Sequence, residues 1–283
     1  MKNKRTLNYY KKRSILRISK YYREWTSHDR VLPNFIIIGV QKGGTSSLYK
    51  YLMQHPNVVP GYKKEVKFFD GKYQKGLDWY RYNFPFNSQM SDSGAQTGEA
   101  SPSYIFHPLV PQRIKESIPN VKLVLLLRDP VVRAYSHYQG NFRKGQEKLS
   151  FQEAIEQEES RLGGEKESII ADQEYPMYKY LVYSYRARGI YIEQIKNWLK
   201  SFPREQMLIL RSEDLFSNPQ KVYTRVLAYL GLPDWKLDKY DIFNYGHYEG
   251  MEPQTEKKLR EYFNPHNQEL YEFLGVNFDW AIS

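Results

Sequence analysis

Cysteine is absent from this chain of 283 residues. Its absence excludes a disulfide framework and any thiolate metal site, and nothing in the composition demands an oxidising compartment. Long apolar runs are missing too. The longest are Phe35–Val40 and Val121–Leu127, well short of the roughly 18 residues a membrane-spanning helix requires. Near the start of the chain, Arg13, Arg17 and Lys20 interrupt any signal-like apolar core. No integral membrane segment is therefore expected. Cytoplasmic residence is the default, with the Golgi lumen as the alternative if an anchor has been removed. His, Asp and Glu do not cluster at metal-ligand spacing, so no metal is expected. No G-x-S-x-G elbow appears either, which sets aside a serine hydrolase of that type.

Positive charge is present but unevenly placed. Residues 1–33 hold ten Lys or Arg against Glu24 and Asp29, a net of +8 from the chain's +10, which leaves +2 for the rest. The first 33 residues thus read as a basic arm before one body over residues 34–283. The arm suits solubility or contact with an anionic polymer or membrane surface, whereas the body gives no reason to expect nucleic acid. Ile15, Ile18, Tyr22 and Trp25 fall near one helical face, predicting a short amphipathic helix packed on the body. The oligomeric state is open. Tyrosine is abundant, with 26 residues, and suits nucleotide and sugar contacts as well as a core rim.

The most informative stretch runs from Asn34 to Ser47. Phe35–Ile38 is a β-branched apolar run ending in Gly39, and Lys42, Gly43, Gly44, Thr45, Ser46 and Ser47 follow. Leu48, Tyr51 and Leu52 then repeat at helical spacing. Strand, glycine turn and helix N-terminus together hold a phosphate, because unpaired N–H groups and the positive helix end converge there. The lysine precedes the glycine pair, so this is not a Walker A sequence. A plain strand–helix corner is the competing reading.

Val121–Leu127 reads as a strand buried on both faces, and Arg128-Asp129-Pro130 opens a helix after it. Arg128 stands at the carboxyl end of that strand and Ser136 two turns into the helix, so both can grip one anion. An Arg–Asp helix cap is the alternative. Further signals are a short strand over Thr97–Ser101, a capping box at Ser150 and Glu153, a strand over Gln206–Leu210, and a helix from Asn218-Pro219 to Gly231. Strands alternating with helices imply an α/β fold with a P-loop-like parallel sheet flanked by helices.

The order K-G-G-T-S-S after F-I-I-I-G-V, paired with R-D-P-x-x-R-x-x-S at 128–136, resembles sulfotransferases that use 3′-phosphoadenosine 5′-phosphosulfate (PAPS). Lys64-Glu65-Val66-Lys67-Phe68-Phe69-Asp70 resembles the N-E-V-H-F-F-D segment of heparan sulfate glucosaminyl 3-O-sulfotransferases. So do Gly189–Pro203 and a C-terminal run, Leu259–Asn267 with Phe278–Trp280, which matches that group's last two helices. The resemblance spans roughly residues 34–280. It implies the sulfotransferase fold and PAPS as co-substrate. It places Lys42 to Ser47 on the 5′-phosphosulfate, and Arg128 with Ser136 on the 3′-phosphate. Glu65 becomes the catalytic base, with a surface glutamate paired with Lys63 or Lys64 as the alternative, Lys42 the neutraliser of leaving-group charge, and Lys67 and Asp70 acceptor-orienting residues. A loop with Tyr245, Gly246, His247 and Tyr248 closes over the donor in this picture, or is a plain surface loop. His107 and His137 read as structural. The implied acceptor is a carbohydrate or polysaccharide hydroxyl. Three departures bear on which one: the family's paired cysteines are missing, Ala100 stands where vertebrate enzymes carry a lysine, and Lys67 replaces a histidine. A nucleotide kinase or NTPase and a non-catalytic polyanion-binding protein are the competing functions.

Overall fold

The computed structural model describes residues 19–90, 94–243 and 250–280. Four parallel strands form one sheet in the order β2-β1-β3-β4, with β1 at Phe35–Gly39, β2 at Gly98–Ala100, β3 at Lys122–Leu127 and β4 at Met207–Arg211. The two central strands are the two apolar runs of the sequence. Their alternate side chains feed opposite faces. Ile36, Ile38, Leu123, Leu125 and Leu127 pack with Phe68, Phe69, Tyr191 and Trp198 on one side. Phe35, Ile37, Val124 and Leu126 pack with Leu48, Leu52, Tyr223 and Leu227 on the other.

Each strand hands the chain to helices that cover these faces. α1 (Thr45–Leu52) follows β1, α2 (Val110–Ser117) precedes β3, and α3 (Pro130–Arg143) follows it. α4 (Tyr191–Leu199), α5 (Ser212–Ser217), α6 (Pro219–Leu230) and α7 (Pro253–Leu274) complete the main set. The expected caps are in place. Asp129 accepts from the Val131 and Val132 amides, Asn218 from Lys221, and Ser150 and Glu153 make the reciprocal box. The open parallel α/β sheet anticipated from the sequence is the one observed.

Two expectations need correction. The C-terminal run does not form two helices: α7 is one helix of 22 residues with Pro265 inside it, and residues 276–280 are irregular. Proline in a helix interior costs about 3 kcal/mol. Leu259 and Phe263 before it and Leu270 after it are buried, each worth about 1.5–3 kcal/mol. Burial on both sides of the break exceeds its cost, so the helix continues. Phe278 and Trp280 instead stack on each other and fold back on Tyr271.

The basic arm is also misread in part. Residues 19–25 are helical, but Trp25 is 76% exposed and Tyr22, half in solvent, meets the body only edge-on at the Phe86 ring. Ile15 and Ile18 lie outside the described residues. Arginines make the attachment instead. The Arg23 guanidinium lies 3.6 Å over the Tyr62 ring, and Arg30 donates to the Phe84 carbonyl at 2.8 Å and bridges Phe86. Among the described residues, no helix is long and apolar enough to cross a membrane.

Candidate active site

The carboxyl ends of β1 and β3 meet at a cleft of about 1060 Å3, the usual ligand position of open α/β sheets. After β1 the chain turns tightly. Val40 N–H donates to the Leu126 carbonyl at 2.9 Å, Gly43 N–H to the Val40 carbonyl at 2.9 Å, and Ser212 Oγ to the Gly43 carbonyl at 2.7 Å. Gly44 has φ +86, and a Cβ there would lie 3.0 Å from Leu215 Cδ2 and 3.2 Å from the Phe216 ring. A Cβ at Gly43 would come within 2.9 Å of the Leu126 carbonyl oxygen. The glycine pair is thus required where the turn is pressed between β3 and α5.

Lys42 takes a left-handed backbone, φ +73, and its side chain runs to α3. There a Cβ on Gly140 would stand 2.7 Å from its Nζ, so this glycine leaves room for the ammonium. Burial, followed by the charges of Lys144, Arg143, Arg128 and Arg133, holds the Lys42 pKa below its ordinary value. Arg128 donates Nη1 to the Lys42 carbonyl at 2.8 Å, tying the end of β3 to the turn. Its neighbour Asp129 caps α3 and pairs with Arg260 of α7 at 3.2 Å.

The opposite wall carries Glu65, Lys67 and Asp70. Glu65 is partly exposed and paired with Lys64 at 3.1 Å and Lys67 at 3.5 Å. Lys64 also donates to Ser46 Oγ at 2.6 Å, which joins this wall to the start of α1. Asp70 is buried and accepts from Ser103; burial raises its pKa against the opposing effect of that bond.

Lys42, Gly44, Thr45, Ser46, Glu65, Lys67, Asp70, Arg128 and Ser136 therefore line one cleft. Two anticipated residues do not. Gly43 shapes the turn from behind. Ser47 is fully buried and accepts from the Phe243 amide at 2.9 Å, because one step along a helix turns a side chain about 100° away from its neighbour Ser46. Tyr245, Gly246, His247 and Tyr248 lie outside the described residues. His107 and His137 are buried away from the cleft. Burial lowers the first to a pKa of about 3 and the second well below its usual value, so both are neutral. Among the described residues, no group of His, Asp and Glu could hold a metal ion.

Sequence reading missed Gly140, Arg143 and Lys144, and named Lys64 only within the segment around Glu65; all four line the cleft. Of the first three, only the basic pair at the end of α3 gave any signal. A lone helical glycine gives none until the lysine that fills its space is seen.

Residues 32–242 match the family model described as a sulfotransferase domain. Human heparan sulfate glucosamine 3-O-sulfotransferase 3B1 is 32% identical over 278 residues, covering 90% of this chain and 66% of that protein. The membrane-associated sulfotransferase kil1 of Dictyostelium discoideum is 27% identical, covering 88% of this chain and 66% of its own length. This chain thus spans just under two thirds of either relative. Among solved structures, a sulfotransferase from Alicyclobacillus acidocaldarius shares 32% identity with a TM-score of 0.66, covering 88% of this chain and 99% of that one. With the family model matching well over half of its residues, the chain belongs to the sulfotransferase-domain family.

Proposed function

We propose that this protein transfers a sulfuryl group from PAPS to a hydroxyl of a carbohydrate acceptor, with Glu65 as the base. The observation that carries the reading is the pairing of two walls in one cleft: a cationic wall of Lys42, Arg128, Arg143 and Lys144, and a facing carboxylate at Glu65.

The cationic wall suits a nucleotide with phosphates at both ends. Lys42 is destabilised by burial and by neighbouring cations, and a bound polyanion would relieve that cost. Thr45 and Ser46 open α1, whose positive end favours an anion. Arg128 and Ser136 stand ready for the 3′-phosphate, with Phe216 and Phe243 as flat surfaces nearby. When bound, PAPS supplies an activated sulfuryl group on a 5′-phosphate leaving group.

Glu65 takes the proton from the acceptor hydroxyl as its oxygen bonds to sulfur. Lys42 neutralises charge on the 5′-phosphate oxygen as the bond from sulfur to that oxygen breaks. Positioning and electrostatics do most of this work, as in phosphoryl transfer. Lys67 and Asp70 orient the acceptor. Ala100, where the resemblance places a lysine, is fully buried on β2, while Lys64 and Lys67 stand where the N-E-V-H-F-F-D segment has an asparagine and a histidine. Labelled PAPS presented with a panel of neutral, acidic and sulfated saccharides, followed by mass mapping, tests the proposal. Label on a saccharide oxygen is expected. Bound donor with no label on any saccharide would refute it.

A further inference from the structure

Glu99 lies in the middle of β2 with no exposed surface, and its carboxylate is held by four donors. Val66 N–H reaches Oε2 at 3.1 Å and Ser101 Oγ reaches it at 2.7 Å, while the Tyr80 and Tyr104 hydroxyls reach Oε1 at 2.7 and 3.1 Å. Two of these hydroxyls are also occupied on their other side. Ser101 Oγ accepts from the Lys67 amide at 3.2 Å, and Tyr104 Oη from the Phe68 and Phe69 amides at 3.0 and 3.4 Å. Four consecutive backbone amides, Val66 to Phe69, therefore hang on one carboxylate, the first directly and three through a hydroxyl. One residue further along β2, the Ala100 amide donates to the Lys64 carbonyl at 3.0 Å. Glu65 stands between these anchors. Lys67 keeps φ +55, a backbone that a non-glycine residue holds only where its surroundings impose it.

We propose that Glu99 is a positioning residue for sulfuryl transfer, its ionised carboxylate fixing the segment from Glu65 to Phe69 so that Glu65 faces the phosphate-binding turn. The proposal rests on the reading of Glu65 as the base. Only the ionised carboxylate accepts from all four donors; a protonated carboxyl must itself donate, and one anchor then loses its acceptor. Burial opposes ionisation and raises the Glu99 pKa to about 7, while the Ser101, Tyr80, Val66 and Tyr104 bonds favour the charged form. Tyr49 of α1 and Lys63 also feel its charge. The anchor thus titrates near neutrality, and acid loosens the segment that carries the base.

Glu99→Gln and Tyr104→Phe in the full chain test this. Turnover, affinity for 3′-phosphoadenosine 5′-phosphate, melting and amide exchange over residues 66–69 are measured for each. Expected are a turnover loss of about tenfold or more, since small misplacements of a reacting group are costly, unchanged nucleotide affinity, and faster exchange at 66–69. Wild-type turnover should also fall as pH is lowered through the Glu99 pKa of about 7, while Glu99→Gln, already slow, should stay flat there. Wild-type turnover in both variants would overturn the proposal, as would equal losses of turnover and nucleotide affinity. If Glu99→Gln does not fold, Tyr104→Phe decides on the same readouts. If the wild-type protein sulfates no saccharide, the reaction assignment fails. Amide exchange then decides the positioning claim alone, and unchanged protection at 66–69 in the variants overturns it.

Discussion

Arg128→Ala separates the two ends of the proposed donor site. The guanidinium spends one nitrogen on the Lys42 carbonyl at 2.8 Å and faces the cleft beside Ser136, where the remaining donors can meet a phosphate. Alanine removes a charge-assisted contact to a partly desolvated anion. The expected cost is about 2–4 kcal/mol, or roughly 30-fold to 1000-fold in Kd for 3′-phosphoadenosine 5′-phosphate. The same change also frees the Lys42 carbonyl and could disturb the 5′ end. Calorimetry is therefore run in parallel with adenosine 5′-phosphosulfate, which lacks the 3′-phosphate. Its affinity should change by less than about threefold, equivalent to under 1 kcal/mol. Arg128→Lys, which retains the charge but not the fork, should fall between wild type and alanine for the bisphosphate. Equal losses for both nucleotides in Arg128→Ala would refute the assignment, since the residue would then support only the turn.

Other perturbations have equally direct readouts. Gly44→Ala forces a side chain into φ +86 and against Leu215, so melting should show a loss of about 1 kcal/mol or more, along with weaker nucleotide binding. Glu99 has a folded pKa of about 7 against an ordinary 4.5. The folded protein therefore holds this proton more tightly than the unfolded chain, and the resulting stability is complete below 4.5 and lost as pH rises to 7. The loss approaches about 3 kcal/mol. Denaturant curves should show that decline in wild type relative to Glu99→Gln, and parallel curves would contradict it. Residues 1–18 hold seven Lys or Arg and no acidic residue. Deleting them should leave nucleotide affinity unchanged but make binding to long anionic polymers weaker and less salt-sensitive. An unaltered salt dependence would assign that binding to the body.

The legible parts of the sequence are those with local causes. β1 and β3 read directly because a parallel strand buried on both faces must be a near-continuous apolar run. The turn at Lys42–Gly44 and the segment from Arg128 stand out because glycine, lysine and arginine beside a strand end are the local chemistry that the proposed phosphate site would need. Other features had no local cause. Ser46 and Ser47 are equivalent in sequence, and only the placement of α1 sends one to the cleft and the other beneath Phe243. Glu99 sits in a strand of three residues, too short to show a period, and its donors come from positions 66, 80, 101 and 104. The resemblance implies two helices for the C-terminal run, whereas burial on both sides of Pro265 carries one helix through it. Trp25 has the spacing of an inward-facing residue, yet it stands in solvent while Arg23 and Arg30 make the contacts.

Glu65 is the residue on which the proposed proton transfer depends. The most direct measurement is sulfate transfer from labelled PAPS to the best saccharide acceptor by wild type and Glu65→Gln, each with its nucleotide affinity determined. The carboxamide keeps the shape but cannot take the acceptor's proton. Turnover should fall about 10²-fold or more while affinity for 3′-phosphoadenosine 5′-phosphate holds. Wild-type turnover in Glu65→Gln would contradict the account.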